Sequence, residues 1–383
     1  MTIQRPTSWR TCGVAVVLFV LAGRPGAAQQ ERAGAPQNAA SAAGDIRILH
    51  VRDSIYALFG AGGNITASVG PDGVLLVDTG ARPMAAKVVA ALAQIQREAS
   101  LKARAQEEAL PRGGEEARSS ILDSRDPSAA PRPLRYIINT SVHADHMGGN
   151  AQLAATGATM TFGAAGGAQI AGIFGRLEEG ASIIAHENVG LRLGTGKVQL
   201  PQEGWPASTY SGAYKSLSQH FNGEGVQVIH VPSASTDGDS VVHFRRADVI
   251  AAGDLFMMTA YPFIDVDSGG SIQGVIDGLN RLLDMSVVEF RAEGGTVIVP
   301  GHGRLADRSD LGYYRDMVTI IRDRIRAMAR QGMPLDQIKA ARPTLDYDPR
   351  FGADNGPWTT AMFVEAVYRS LPNAKPAGPA ANR

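Results

Sequence analysis

Several largely apolar runs of this chain lead directly into histidine or aspartate residues. The run 134–138 precedes a segment with two histidines and an aspartate, and the runs ending at Ala252 and Val299 are followed within three residues by Asp254 and His302. Short β-branched or apolar runs bounded by turn residues predict strands. The chain is therefore expected to form a sheet structure that brings these polar side chains together at the strand ends.

The predicted elements fall into two blocks of strands followed by helices. Turn residues at 60–64 and 71–73 separate the first strands. Strands are predicted at 46–51, 55–59, 65–69, 74–77, 134–138, 227–231, 240–244, 248–251 and 296–299. Apolar residues at helical spacing predict helices at 83–96, 271–284, 311–331 and 359–371. This order favours an α+β or a four-layer α/β architecture.

Three segments differ in composition from the predicted domain, residues 45–372. Residues 97–133 are rich in Arg, Glu, Ala, Ser and Pro, which predicts a solvated, disordered or partly helical insertion. Residues 29–44 and 373–383 have the composition of a flexible leader and a flexible tail. The Gly-rich stretch 158–181 is compatible equally with a lid beside an active site and with a buried helix.

The overall composition excludes several classes of protein. The 383 residues include 37 Lys+Arg and 37 Asp+Glu, so the positive charge expected of a nucleic-acid-binding protein is missing. One cysteine allows neither an internal disulfide nor a Cys-rich zinc site. A metal would have to be held by histidines and carboxylates.

The first 28 residues have the pattern of an export signal. Arg5 and Arg10 precede an apolar run from Cys12 to Ala22, and small residues follow at 26–28. An uncleaved anchor is the alternative, but the run is shorter than the roughly 20 residues that span a bilayer. We expect a periplasmic or secreted protein with no integral membrane segment after cleavage.

The motif at residues 141–150 carries the strongest chemical signal. His143, Asp145 and His146 follow a predicted buried strand, and Asp254 and His302 end two others. Nitrogen and oxygen donors of this kind suit zinc or a related transition metal.

The ordered motifs resemble the metallo-β-lactamase superfamily, over about residues 46–371. The matching segments are Val77-Asp78-Thr79-Gly80, residues 143–150, Gly253-Asp254 and Pro300-Gly301-His302-Gly303. Further phrases, among them Ala185-His186-Glu187-Asn188, resemble an exported metallohydrolase branch. The resemblance implies an αββα sandwich and hydrolysis of β-lactams, thioesters, lactones, or sulfate and phosphate esters.

Two positions depart from the family pattern, and both belong to the first metal site. Ser141 and Ser235 stand where the family has histidines. A hydroxyl is a poorer zinc ligand than an imidazole, so His143 alone is not expected to retain that ion.

The second metal set is complete, so one zinc ion is expected. The resemblance gives its ligands as Asp145, His146, Asp254 and His302. His143 and Asp145 are the expected catalytic residues, and His143 is left free to act as a general base or to orient water. Asp78 is expected to orient a ligand.

Two further histidines are expected to be structural. A hydrogen-bonding role is favoured for His186 over a role near the pocket. His230 ends a predicted strand, before the loop, so a role as a displaced metal ligand is disfavoured.

These observations predict an exported, zinc-dependent hydrolase with a small-molecule substrate. The ion would activate water to attack an ester, thioester, lactone or β-lactam. The alternative, favoured by the two serines, is a non-catalytic binding or scaffold protein on a degenerate hydrolase fold.

Overall fold

The structure is a computed structural model that describes residues 45–108, 132–161, 176–196, 198–217, 220–287 and 294–372. The predicted signal sequence, leader and tail lie outside the described residues, as does most of the predicted insertion. The described residues all fall in one structural unit, Ser41–Arg383. Among them, none of the helices is both long and apolar enough to span a bilayer.

The strands form two large sheets and one small sheet. Their bounds are β1 Arg47–Arg52, β2 Ile55–Phe59, β3 Ile65–Gly70, β4 Gly73–Val77, β5 Leu134–Ile138, β6 Ala158–Thr161, β7 Arg176–Glu179, β8 Ser182–His186, β9 Ser208–Tyr210, β10 Tyr214–Ser216, β11 Val226–His230, β12 Ser240–Phe244, β13 Val249–Met257 and β14 Val297–His302. The first sheet has the order β1-β2-β3-β4-β5-β8-β9 and the second β10-β11-β12-β13-β14. Strands β6 and β7 pair separately.

The helices lie between and after these strands. Their bounds are α1 Ala85–Glu108, α2 Ala144–Met147, α3 Asn150–Ala154, α4 Glu187–Gly194, α5 Ile272–Met285, α6 Arg308–Arg330, α7 Leu335–Ala340, α8 Asp348–Phe351 and α9 Thr360–Ser370. Helix α6 begins with a capping box in which the Asp307 carboxylate accepts hydrogen bonds from the first turn.

The core has the four layers that the sequence predicts. Alternate residues of β2 enter different hydrophobic clusters: Ile55 and Ala57 pack between the two large sheets, whereas Tyr56 and Leu58 pack toward α1. The outer face of the second sheet, including Ile250, packs against α5 and α6. Both sheets are therefore covered by helices on their outer sides, and the αββα prediction is confirmed.

The structure differs from the sequence prediction in several elements, and strands β6 to β10 and helices α2 to α4, α7 and α8 were not predicted. Helix α1 continues through residue 108, into the segment predicted as the start of the insertion. Strand β13 continues to Met257 instead of ending at residue 251. The ends of the Gly-rich stretch form the antiparallel pair β6–β7, which was not predicted, and residues 162–175 lie outside the described residues.

Parallel pairing places the donor segments at one edge of the sandwich. β4 pairs in parallel with β5, and β13 pairs in parallel with β14. The carboxyl ends of β4 and β5 therefore meet at one sheet edge. Asp254 lies within β13, beyond a register shift at Gly253, whose φ of +53° is in the left-handed region that glycine tolerates.

Candidate metal centre

Backbone hydrogen bonds hold the loop after β5 against its neighbours. The amide of Thr79, after β4, donates to the carbonyl of His146 at 2.7 Å. The amide of Gly63, in the turn after β2, donates to the carbonyl of Asp145 at 2.9 Å. The backbone of Asp145 and His146 is therefore hydrogen-bonded to the turn after β2 and to the segment after β4.

His146 is fully buried between two carboxylates. Its Nδ1 lies 2.7 Å from Oδ2 of Asp78, and its Nε2 lies 2.9 Å from Oδ1 of Asp254. Burial lowers the pKa of His146, but the charges of Asp254 and Asp78 outweigh burial and hold the pKa well above the ordinary value. Each ring nitrogen therefore lies within hydrogen-bond distance of a carboxylate oxygen.

Asp78 is itself fixed by the loop that carries His146. Its carboxylate accepts hydrogen bonds from the amide of Thr140 at 2.8 Å and from the Thr140 hydroxyl at 2.6 Å. The predicted orienting role of Asp78 stays a prediction, and its contact with Nδ1 of His146 is the contact that this role requires.

Asp145, His146 and His302 form a three-donor cluster. One ligand atom from each lies within 4.8 Å of the other two. Nε2 of His302 is 3.2 Å from Oδ2 of Asp145 and 3.5 Å from Oδ1 of Asp254. Neighbouring donors in a tetrahedral zinc site are about 3.3 Å apart, for metal–ligand bonds of about 2.0–2.1 Å. The spacing and the mixture of imidazoles with carboxylates therefore fit a single divalent cation.

The carboxylate of Asp254 contacts two histidines with different oxygens. Oδ1 faces Nε2 of His146, and Oδ2 lies 2.7 Å from Nδ1 of His143. Burial raises the pKa of Asp254, but the charge of His146 and the hydrogen bonds from both histidines hold it well below its usual range. Asp145 behaves alike: burial raises its pKa, whereas the His302 hydrogen bond and the His146 charge bring it below the usual value.

His143 lies at the amino end of α2, beside the cluster. Its Nε2 is buried, and no hydrogen-bond partner for it is present among the described residues. Burial lowers the pKa of His143, but the hydrogen bond to Asp254 and the Asp254 charge outweigh it, so the pKa is raised. The ring also packs edge-on against Phe263, with 4.9 Å between ring centroids.

Ser141 and Ser235 are both buried, so the two departures from the family pattern lie in the interior. The Ser141 Oγ accepts a hydrogen bond from the amide of His143 at 3.3 Å. The Ser235 Oγ has no partner among the described residues.

Three residues that the sequence analysis gave no role support the donors. A Cβ on Gly63 would lie 2.7 Å from the His146 ring, and a Cβ on Gly301 would lie 2.5 Å from Oδ1 of Asp254. The amide side chain of Asn64 donates to the carbonyls of Pro300 and Gly303, on both sides of His302. In the sequence, only the Gly-Gly-Asn turn at 62–64 and the Pro-Gly-His-Gly segment at 300–303 could have indicated these contacts.

His186 and His230 lie together in a structural pair. Their rings stack at 3.7 Å with an interplanar angle of 1°. His186 caps α4, because its Nδ1 accepts a hydrogen bond from the amide of Asn188. Nδ1 of His230 donates a hydrogen bond to the carbonyl of Asp239. These contacts are of the hydrogen-bonding kind that the sequence analysis favoured for His186.

The chain belongs to the metallo-β-lactamase superfamily, whose family model matches residues 59–302. The expected family and fold are therefore confirmed. No curated protein matches the sequence at a significant level.

Similar solved structures include two of alkylsulfatases and one of a β-lactamase. The sec-alkylsulfatase Pisa1 from Pseudomonas sp. is 13% identical with a TM-score of 0.51, and the match covers 85% of this chain and 50% of that chain. A double variant of the sec-alkyl sulfatase PisA1 is 13% identical with a TM-score of 0.54, and the match covers 85% of this chain and 50% of that chain. The DIM-1 metallo-β-lactamase is 13% identical with a TM-score of 0.44, and the match covers 72% of this chain and 97% of that chain. The chain thus spans about half the length of the alkylsulfatase structures, and these similarities define the fold alone.

Proposed function

We propose that this protein is an exported hydrolase with one zinc ion, acting on an ester, thioester, lactone or β-lactam. The observation that carries the proposal is the position of His143, which Asp254 fixes beside the donor cluster by a 2.7 Å hydrogen bond. A site that only holds a structural ion has no need for a fixed histidine next to its ligands.

Asp145, His146 and His302 would hold the ion. Three protein ligands are typical of catalytic zinc sites, which keep one coordination position open, whereas four are typical of structural sites. Asp254 is a weaker fourth donor through Oδ1, because Oδ2 of the same carboxylate is engaged by His143. When bound, zinc supplies a Lewis acid that polarises the scissile carbonyl and lowers the pKa of water.

His143 would move the proton. The Asp254 carboxylate can only accept at Nδ1, so the hydrogen of a neutral His143 ring lies on that nitrogen and Nε2 carries the lone pair. In this tautomer Nε2 is the nitrogen that could take a proton from the attacking water and return it to the leaving group, which requires that water reach this buried atom.

The exposed fractions of the side chains indicate from which side a substrate could reach the site. The side chain of Asp145 is 42% exposed and that of His302 is 25% exposed, whereas Asp254 is 5% exposed. The substrate would therefore approach over Asp145 and His302. The carboxylate of Asp254 stays behind the ligands, where it holds His143.

Export is proposed from residues 1–28, whose charged start and apolar run have the signal pattern. The test is amino-terminal sequencing of the protein from the periplasm and medium of a bacterial host. A start at about residue 29 supports export, and an intact amino terminus in the cytoplasmic fraction contradicts it.

Hydrolysis is tested with zinc-loaded protein against ester, thioester, lactone and β-lactam panels. A matched control is His146→Ala, which removes the buried ligand and should lose both zinc and activity. Turnover by the parent at a rate above that of this variant supports the proposal. Equal rates for the two proteins contradict it.

A second candidate is a non-catalytic binding protein on this fold. Its support is the pair Ser141 and Ser235, whose buried hydroxyls stand where the family places imidazoles. Zinc binding without turnover of any panel substrate favours this second candidate.

A further inference from the structure

The ring of His143 is the first of three aromatic rings in contact. Phe263 packs edge-on against His143, and Trp358 packs edge-on against Phe263 with 4.7 Å between centroids. The imidazole, phenyl and indole rings thus lie in series. Phe263 and Trp358 are both half-buried, so part of each ring is open to contact with a ligand.

Trp358 comes from a part of the chain beyond the family match. The match ends at residue 302, and Trp358 precedes α9 after helices α6, α7 and α8. The carboxy-terminal helices therefore return the chain to the catalytic edge. This arrangement supplies an element of the site that belongs to this chain and not to the shared motifs.

The indole of Trp358 has an unused hydrogen-bond donor. Its Nε1 is buried, and no acceptor for it is present among the described residues. A buried donor without an acceptor is unfavourable, and tryptophan in proteins usually finds a partner for this group.

We infer that Phe263 and Trp358 form an apolar subsite that receives a hydrocarbon acyl group next to the scissile bond. The inference deepens the proposed function, on which it rests, by naming the substrate class as esters and thioesters of apolar acids. Phe263 packs against His143, so a chain lying on the phenyl ring would also lie close to the His143 ring. The two residues are substrate-positioning residues, and Trp358 supports the ring of Phe263.

The first test is the chain-length dependence of hydrolysis by the zinc-loaded protein. For p-nitrophenyl esters from acetate to octanoate, kcat/KM should rise about two- to fourfold per methylene, the upper value being that of complete burial. Phe263→Ala should flatten this series, mainly through KM. Tyr214→Ala removes an exposed aromatic ring of β10 and should leave the series unchanged.

Two further variants keep the test informative if Phe263→Ala does not fold. Phe263→Leu retains an apolar side chain and should give an intermediate slope. Trp358→Phe keeps an aromatic ring beside Phe263, so the slope should persist. A slope in Phe263→Ala or Phe263→Leu equal to that of the parent overturns the inference.

A binding measurement separates this inference from the hydrolase proposal. Titration calorimetry on the zinc-loaded protein should show octanoate binding more tightly than acetate, with the difference lost in Phe263→Ala. This result supports the subsite even if no ester is hydrolysed, in which case only the hydrolase proposal fails. Equal affinity for octanoate and acetate overturns the subsite, whether or not esters are hydrolysed.

Discussion

Asp254 holds His143 by its Oδ2, 2.7 Å from Nδ1, while Oδ1 of the same carboxylate faces the metal-donor cluster. One side chain therefore links the proposed proton carrier to the proposed ligands. Loss of the His143 ring leaves Asp145, His146 and His302 in place, whereas loss of the Asp254 carboxylate affects both groups.

His143→Ala should abolish hydrolysis and keep the metal. The loss of a general base costs about 10²- to 10⁴-fold in rate, and the three-donor cluster is untouched. The measurement is zinc per chain together with kcat for a substrate from the panel. Loss of zinc in this variant would show that His143 is itself a ligand.

Gly301→Ala should weaken metal binding and destabilise the fold. The new Cβ would lie 2.5 Å from Oδ1 of Asp254 and 2.8 Å from the Gly253 backbone, so the strand or the carboxylate must move. The matched control is Gly312→Ala in helix α6, where a Cβ meets nothing within 4 Å. That change should stabilise the protein by about 0.4–1 kcal/mol. Thermal unfolding and zinc affinity of both variants check the prediction, which is wrong if they behave alike.

Zinc binding should release protons and weaken as the pH falls. The Asp254 and Asp78 charges hold the pKa of His146 well above its ordinary value of 6.5, so a metal ion has to compete with a proton for Nε2. For one displaced proton the apparent affinity falls about tenfold per pH unit. Calorimetry in buffers of different ionisation enthalpy measures the release. A binding enthalpy independent of the buffer is the contrary result.

Acid should destabilise the fold partly through His186 and His230. Burial lowers the pKa of both residues, and for His186 the neighbouring His230 charge lowers it further. Because the folded pKa values lie below the unfolded value of 6.5, the folded state binds protons less tightly. Stability is therefore fully present above about pH 6.5 and declines below it.

The His186→Asn variant isolates this effect, because asparagine also caps helices but does not titrate. Between pH 7 and 5 its free energy of unfolding, measured by urea denaturation, should fall less than that of the parent. His50→Asn, at an exposed histidine of β1, is the control and should leave the slope unchanged. If the free energy of unfolding falls equally with pH in the parent and in His186→Asn, the stacked pair does not cause the loss of stability in acid.

The sequence predicted the elements that carry a strong local pattern. The strands at 55–59, 134–138 and 240–244 were predicted with their observed bounds, because buried runs between turns are distinctive. Helix α1 was predicted too short, because its end at residues 97–108 has few apolar residues. Its Ala, Glu, Gln and Lys content nevertheless favours a helix. The strand predicted at 248–251 continues to Met257, with a register shift at Gly253.

The candidate site was predictable where the donors lie at strand ends and not where they depend on long-range packing. Asp145, His146, Asp254 and His302 follow local patterns, and the structure brings them together. The pairing of Phe263 with Trp358 depends on the path of helices α6 to α9, for which the sequence carries no local signal. The stacking of His186 on His230 likewise joins two strands of different sheets.

The most direct test of the central claim is the metal content of the purified protein and of Ser141→His/Ser235→His. The account predicts about one zinc per chain in the parent, because one donor set is complete, and about two in the double variant, because the missing imidazoles are restored beside His143. No zinc in the parent, or two without any substitution, would contradict the account.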